Sequence, residues 1–432
     1  MSTVEDTVSA QAEAPIDPIA IREAPSGAWR DAFAADMMRS APMPLTQLAR
    51  GDGARVWDVD GVEYLDFLAG IAVNSLGHAH PVIVETASRQ AATLMHVSNY
   101  FATAPQLALA ARLLRLTGAG TEGRVYFGNS GAEAIEAAIK LARRTERPRI
   151  LALHNSFHGR TMGSLSLTGK AVLREPFEPL LPGIEHIHST VEALEAAIGP
   201  DVAALVVEPI KGEAGVLPLP DGYLEAARRI TREHGVLLIL DEIQTGAGRT
   251  GEWFAFQSAG IVPDAIALAK GIGGGVPIGA LITFGAASNL LTAGQHGSTF
   301  GGNPFATAVG DAVRAAIEHA DRVGHAGVQG EAIRAAIAAI GSPLVAEVRG
   351  AGLLLGVFAV VLIGAILGTI LVQSTLAPLK RIEKTAAKIA AGDLSQRVPD
   401  LPESTEVGSL SMSLNTMLTR IEESFHAQEE TT

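Results

Sequence analysis

Between Gly51 and Phe67 the chain alternates apolar and polar positions, GDGARVWDVDGVEYLDF, on either side of Asp60-Gly61. An Asp-Gly pair flanked by such alternation predicts a hairpin. From about residue 76 to residue 305 the pattern changes. Short apolar runs (RVYF, RILAL, VAALVVEPI, VLLILDE, DAIALAK) are separated by Ala-rich stretches such as AEAIEAAIKLARR, which have helical character. Apolar strands separated by helices predict an α/β fold with a mostly parallel sheet flanked by helices on both faces. The pattern divides the chain into a flexible tail (1–44), an N-terminal segment (45–75), a large domain (76–305) and the start of a small one (306–350).

A break comes near residue 350. From Ala351 to Val372 no residue is charged, and 22 such positions meet the length and polarity needs of a membrane-spanning helix. The reading is a transmembrane helix over 351–373 and a linker over 374–427, the alternative being that 353–372 is a buried helix or strand that replaces part of the small domain. In the linker Leu379, Ile382, Ala386 and Ile389 form one heptad seam, and Val407, Leu410, Leu414, Met417 and Ile421 a second. Two short seams cannot bury their stripes alone, so they need partners, most simply a second copy of the chain.

Composition narrows the function. The 432 residues carry 33 Lys and Arg against 46 Asp and Glu, a net charge of −13, which argues against a nucleic-acid partner. The absence of cysteine excludes a disulfide scaffold, a thiolate metal site and a Cys nucleophile. No secretory signal is readable in residues 1–25, so the default compartment is the cytoplasm, with membrane association left open by the apolar run. The mean hydropathy of +0.25 is high for an acidic enzyme, and that run contributes to it.

The candidate chemistry lies at strand ends. In VLLILDEIQTGAGRTG, Asp241 closes the strand Val236–Leu240, and in DAIALAKGIGGGVPIGA, Lys270 closes another. Ligands of open α/β sheets bind beyond the carboxyl ends of the strands. An amine and a carboxylate on two such ends are what pyridoxal phosphate (PLP) chemistry requires. The amine bonds to the aldehyde, and the carboxylate keeps the pyridine nitrogen protonated so that the ring accepts electrons. The phosphate needs backbone amides at a helix N-terminus, which Ser130, Gly131 and Ala132 of GNSGAEAIEAAIKLAR would supply. His78, His80 and His158 lack metal-ligand spacing, and no metal site is expected.

At this point the chain resembles a class III (fold type I) PLP aminotransferase, most closely the acetylornithine aminotransferases. The likeness covers about residues 45–355 and rests on GIAVNSLGHAHP, GNSGAEAIEAAIKLAR, SFHGRTMG, EPIKGEAGV, LILDEIQTGAGRTG, ALAKGIGGGVPIGA and HGSTFGGNP in that order. The resemblance implies that Lys270 holds the cofactor and then shuttles the proton. Asp241 pairs with the pyridinium nitrogen, Gln244 reaches the ring hydroxyl and Phe157 stacks on the ring. Arg160 binds a substrate carboxylate as a fork. Glu213 pairs with a second arginine for one substrate and releases it for the other, while Glu208 is structural. Thr299 reaches the phosphate of a neighbouring subunit, which makes a homodimer part of the site. The implied reaction converts N2-acetyl-L-ornithine and 2-oxoglutarate to N-acetylglutamate 5-semialdehyde and glutamate, a step of arginine biosynthesis.

Near Gly356 the likeness to the family stops, before the region expected to supply the second arginine. Residues 356–427 are similar instead to the last transmembrane helix and HAMP linker of a sensor histidine kinase, with AAGDLSQRVP and Glu406 among the matching features. An inserted helix with Lys380 and Arg381 on its cytoplasmic side would put the enzyme outside, so the chain reads as a fusion, with activity impaired by the missing lobe. The competing readings are a membrane-anchored HAMP signalling linker with a vestigial enzyme, and, within the class, an ornithine, succinylornithine or 4-aminobutyrate aminotransferase.

Overall fold

The computed structural model describes residues 28–40, 42–359 and 415–417. The chain divides into two compact units, Met1–Ala336 with Arg349–Gly356 and Ile337–Val348 with Val357–Thr432. Every candidate site residue belongs to the first.

The alternating N-terminal segment forms a three-stranded antiparallel sheet of β1 (Leu48–Asp52), β2 (Arg55–Asp58) and β3 (Glu63–Leu65). The expected hairpin at Asp60-Gly61 joins β2 to β3, with Trp57 opposite Glu63. Its turn is held from within, since Asp58 Oδ1 accepts the amides of Asp60 (3.0 Å) and Val62 (2.9 Å).

The central sheet takes its strands from the predicted apolar runs. They are β4 (Arg124–Gly128), β5 (Arg149–Leu153), β6 (Ile184–Ile187) and β7 (Val202–Val207). After the short pair β8 (Ile210–Lys211) and β9 (Leu217–Pro218) come β10 (Leu237–Asp241), β11 (Ala265–Leu268) and β12 (Gly279–Thr283). The seven strands lie in the order β4-β12-β11-β10-β7-β5-β6. Only β12 runs against its neighbours, so the sheet is mixed and mostly parallel. The carboxyl ends of the other six therefore share one edge.

Alternation along each strand divides two cores. Leu238 and Leu240 face Leu205, Val207, Ile266 and Leu268 on one side, covered by Leu109, Leu113, Tyr223 and Ile230 from helices. Ile239, Val206, Ala204, Ala265 and Ala267 face the other. There the helix Gly131–Arg143 lies close, because its buried stripe includes Ala134, Ala137, Ala138 and Ala142. Full burial of each Leu or Ile contributes roughly 1.5–3 kcal/mol.

The predicted transmembrane helix is overturned at its start. Residues 351–359 are not helical. They complete the hairpin β13 (Val345–Ala351) and β14 (Leu354–Ala359). Gly350 (φ 116°) and Gly352 (φ 52°) turn the chain in a conformation that no helix can continue. Counting uncharged positions favoured the helix, although an apolar run of this kind suits a strand as well, and among the strand's described side chains only Leu354 is buried while Val357 and Phe358 are exposed. Among the described residues no helix is long and apolar enough to cross a membrane. Residues 360–373 and both heptad seams lie outside the described residues, apart from 415–417, which are helical.

Candidate active site

Four adjacent strands of the sheet each release a charged or ionisable side chain at the same edge. His158 follows β5, Glu208 follows β7, Asp241 ends β10 and Lys270 follows β11, in the spatial order of those strands. Asp241 stands opposite Ala267 in the β10–β11 register, which brings it beside the strand that leads to Lys270. These groups line a cavity of about 380 Å³, with Ser130, Gly131, Ala132, Phe157, Glu213, Gln244 and the turn Gly275–Ile278 completing its wall.

His158 Nδ1 lies 2.7 Å from Asp241 Oδ2, and the imidazole is fully buried. Burial opposes its charged form, but the bond to Asp241 and the charges of Asp241 and Glu208 outweigh it and raise the pKa. Its Nε2 has no partner among the described residues. The other carboxylate oxygen of Asp241, Oδ1, accepts the Ile243 amide at 3.1 Å. Glu208 accepts the Phe157 amide at 2.7 Å, and burial pushes its carboxyl well above the usual range. Lys270 takes a left-handed backbone (φ 46°), uncommon for a residue with a Cβ. Burial holds its amine below the ordinary value, against the pull of Asp241, Glu213 and Glu208.

Beneath the cavity, Ser130 caps the helix Gly131–Arg143, its Oγ accepting the Glu133 amide at 3.2 Å. The amides of Gly131 and Ala132 open that helix and have no acceptor within it. Gly212 packs directly on Gln244. A Cβ there would lie 1.2 Å from Gln244 Oε1, so only glycine leaves that amide its position.

Eight of the ten expected residues thus meet in one cavity. Arg160 is exposed and not among its lining, with its guanidinium 5.6 Å from the Phe157 ring centre. Thr299 is also exposed and does not line its own chain's cavity. Glu208, expected to be structural, lines the cavity and also anchors Phe157, so it does both. The expected spacing gave no reason to join His158 to Asp241, although they are 83 positions apart and 2.7 Å distant. Arg314 was missed as well. Fully buried on the helix Pro304–His319, it donates to the carbonyls of Ala247 and Gly271 and so ties together the loops after β10 and β11. Its signal was a cation inside the apolar stripe of Val309, Val313 and Ile317. Of the other histidines, His78 pairs with Asp66 at 2.7 Å and His80 caps the helix Pro81–Thr93. Among the described residues no group of three or more acidic, His or Cys side chains could hold a metal ion.

The family described as Aminotransferase class-III matches residues 37–360. The chain belongs to that family. It is a class-III aminotransferase, a PLP-dependent transaminase, and a separate match to the HAMP domain covers residues 370–423. It is 53% identical over 323 residues to the acetylornithine aminotransferase of Streptomyces coelicolor, covering 74% of this chain and 80% of that one. The Mycobacterium tuberculosis protein of the same name is also 53% identical, over 76% of this chain and 82% of its own. Among solved structures, an ornithine aminotransferase from Toxoplasma gondii aligns with a TM-score of 0.71 at 35% identity, over 75% of this chain and 80% of that one. The N-acetylornithine aminotransferase of Stenotrophomonas maltophilia aligns at 0.62 and 36% identity, over 74% and 81%.

The aminotransferase cavity has features that fit the cofactor. A desolvated amine and a carboxylate backed by a buried imidazole face the same space, and a helix opens onto it with free amides for a phosphate. The orphaned His158 Nε2 lies behind the carboxylate, where its ring sustains an ion pair rather than serving as a ligand.

Proposed function

We propose that this aminotransferase exchanges the terminal amino group of N2-acetyl-L-ornithine with 2-oxoglutarate, giving N-acetylglutamate 5-semialdehyde and glutamate. The observation that carries the reading is the 53% identity to acetylornithine aminotransferases over 323 and 329 residues, about three quarters of the chain. PLP supplies the aldehyde that accepts the amino group and the ring that accommodates the electron pair.

The chain's own residues divide the remaining work. Lys270 Nζ moves the proton, and its partial burial favours the neutral amine that a base must be. Asp241, oriented by His158, offers one oxygen to the pyridine nitrogen. Phe157 stacks on the ring, Gln244 meets the ring hydroxyl, and Ser130, Gly131 and Ala132 hold the phosphate. Arg160, exposed and 5.6 Å from the ring of the cavity residue Phe157, binds a substrate carboxylate as a fork. Glu213 faces the cavity as a gate between the two substrates.

The active form in this proposal is a homodimer in which Thr299 completes the partner's phosphate site. The support is the exposure of large apolar side chains, among them Phe67 and Tyr100, each 92% exposed, with Phe101 and Phe300. Burial of such side chains against a second copy would remove them from water. The HAMP match favours a second role for 370–423, pairing with the same segment of another copy.

The test is an absorbance spectrum of the PLP-loaded chain with a coupled assay on both substrates. Lys270→Ala is expected to lose the visible band after dialysis and to abolish turnover. A band that survives the substitution overturns the assignment of Lys270, and an active enzyme indifferent to N2-acetyl-L-ornithine overturns the substrate.

A further inference from the structure

The helix Pro304–His319 packs against the turn Lys270–Ile272, which carries the amine of the site. Contact is close at Gly310, where a Cβ would lie 3.3 Å from the Ile272 carbonyl oxygen. One helical turn further along, on the same face, stands Arg314. Its side chain is fully buried, and its only hydrogen bonds among the described residues go to two backbone carbonyls. Its Nε has no partner there. Burial pushes its pKa down to about 9, with no opposite charge to offset the effect. A cation in that condition is costly, and an apolar side chain would suit the stripe of Val309, Val313 and Ile317 better.

The two carbonyls show what the guanidinium holds. Nη1 donates to Ala247 at 3.1 Å, and Nη2 donates to Gly271. Both contacts fall where the backbone is left-handed. Ala247 itself has φ 63°, and Gly271 directly follows Lys270, which has φ 46°. That conformation costs a residue with a Cβ roughly 1–2 kcal/mol and persists only where the surroundings fix it. Ser75 Oγ adds a further donor to the Gly271 carbonyl, at 3.2 Å. Ala247 belongs to the loop after β10, downstream of Asp241 and Gln244, whereas Gly271 belongs to the loop after β11. One planar fork therefore bridges the carboxylate loop and the amine loop. We propose that Arg314 is a positioning residue for the transamination. By gripping Ala247 and Gly271 it fixes the left-handed backbone at Lys270 and so holds Nζ in the cofactor cavity. Arg314 does not itself line that cavity, so it acts through Lys270. The proposal rests on the assignment of Lys270 to PLP made above.

Two measurements on the full-length chain test it: the rate at which the visible band forms when PLP is added to the apoprotein, and steady-state kinetics of the loaded enzyme. Misplacing a reacting group by about 1 Å costs on the order of 100-fold, so Arg314→Met is expected to slow band formation and lower kcat by about 10- to 100-fold. KM for N2-acetyl-L-ornithine should stay within about twofold, because no substrate contact is lost. The melting temperature should change little, since methionine replaces an uncompensated buried cation. Arg314→Lys should restore part of both rates, as a point charge without the fork. Ser75→Ala, which removes only the further donor to Gly271, should slow band formation by about threefold. Unchanged band formation and kcat in Arg314→Met overturn the proposal, as does a rise in KM alone. If Arg314→Met fails to fold, wild-type rates in both Arg314→Lys and Ser75→Ala overturn it. The underlying reading fails differently. A band that survives Lys270→Ala removes Lys270 from the cofactor whatever Arg314 does, and an enzyme indifferent to N2-acetyl-L-ornithine leaves the rate of band formation as a valid measure of the clamp.

Discussion

Asp241 and His158 form the most consequential pair at the residue scale. Without the imidazole, Asp241 would keep only the Ile243 amide. His158→Gln is expected to weaken PLP by about 10- to 100-fold, as loss of a bond to a charged group costs roughly 1.5–3 kcal/mol. Titration of the apoprotein with PLP measures it. Glu242, the residue after Asp241, gives a pH signature. Burial pushes its carboxyl up to about 7 although Thr245 and Phe256 donate to it, whereas the ordinary value is 4.5. Between those values the folded protein holds a proton that the unfolded chain has released, so stability falls as pH rises through the window. Thermal melts from pH 4.5 to 7 should show wild type losing on the order of 2 kcal/mol relative to Glu242→Gln.

At the scale of elements, the helix Gly131–Arg143 links packing to ligand binding. Its Ala stripe lets it approach the sheet, and its N-terminus thereby opens on the cavity. Ser130→Ala removes the cap and is expected to cost about 1 kcal/mol in stability. It should also weaken PLP, so chemical denaturation and PLP titration should both shift. The motif GNSGAEAIEAAIKLAR made this element legible, because capping and amphipathicity are local properties. The hairpin of β13 and β14 was not legible. Gly350 and Gly352 punctuate the sequence, but an uncharged run does not reveal whether its partner is a strand or lipid. Arg314 was hidden for the same kind of reason, since its two carbonyl acceptors come from loops 67 and 43 positions away.

For the whole molecule the prediction concerns assembly. If Thr299 serves the partner's cavity, Lys270→Ala and Thr299→Ala chains should each be poorly active alone. A mixed dimer would unite an intact Lys270 from one chain with an intact Thr299 from the other. Refolding the two variants together should therefore restore activity above the sum of the separate preparations. No gain on mixing, with dimers verified by sedimentation, would put Thr299 outside the partner's site.

By itself the sequence determined the succession of strands and helices and the acid and amine that end two of the strands. Those features depend on side-chain period and on neighbours a few positions away. It also carried the resemblance that gave the residues expected roles. Only the tertiary structure decided that β5, β7, β10 and β11 lie side by side, which aligns His158, Glu208, Asp241 and Lys270 along one edge. It alone turned the start of the apolar run into a strand. Strand order and burial arise from contacts between distant segments, and no local pattern encodes which segments those will be.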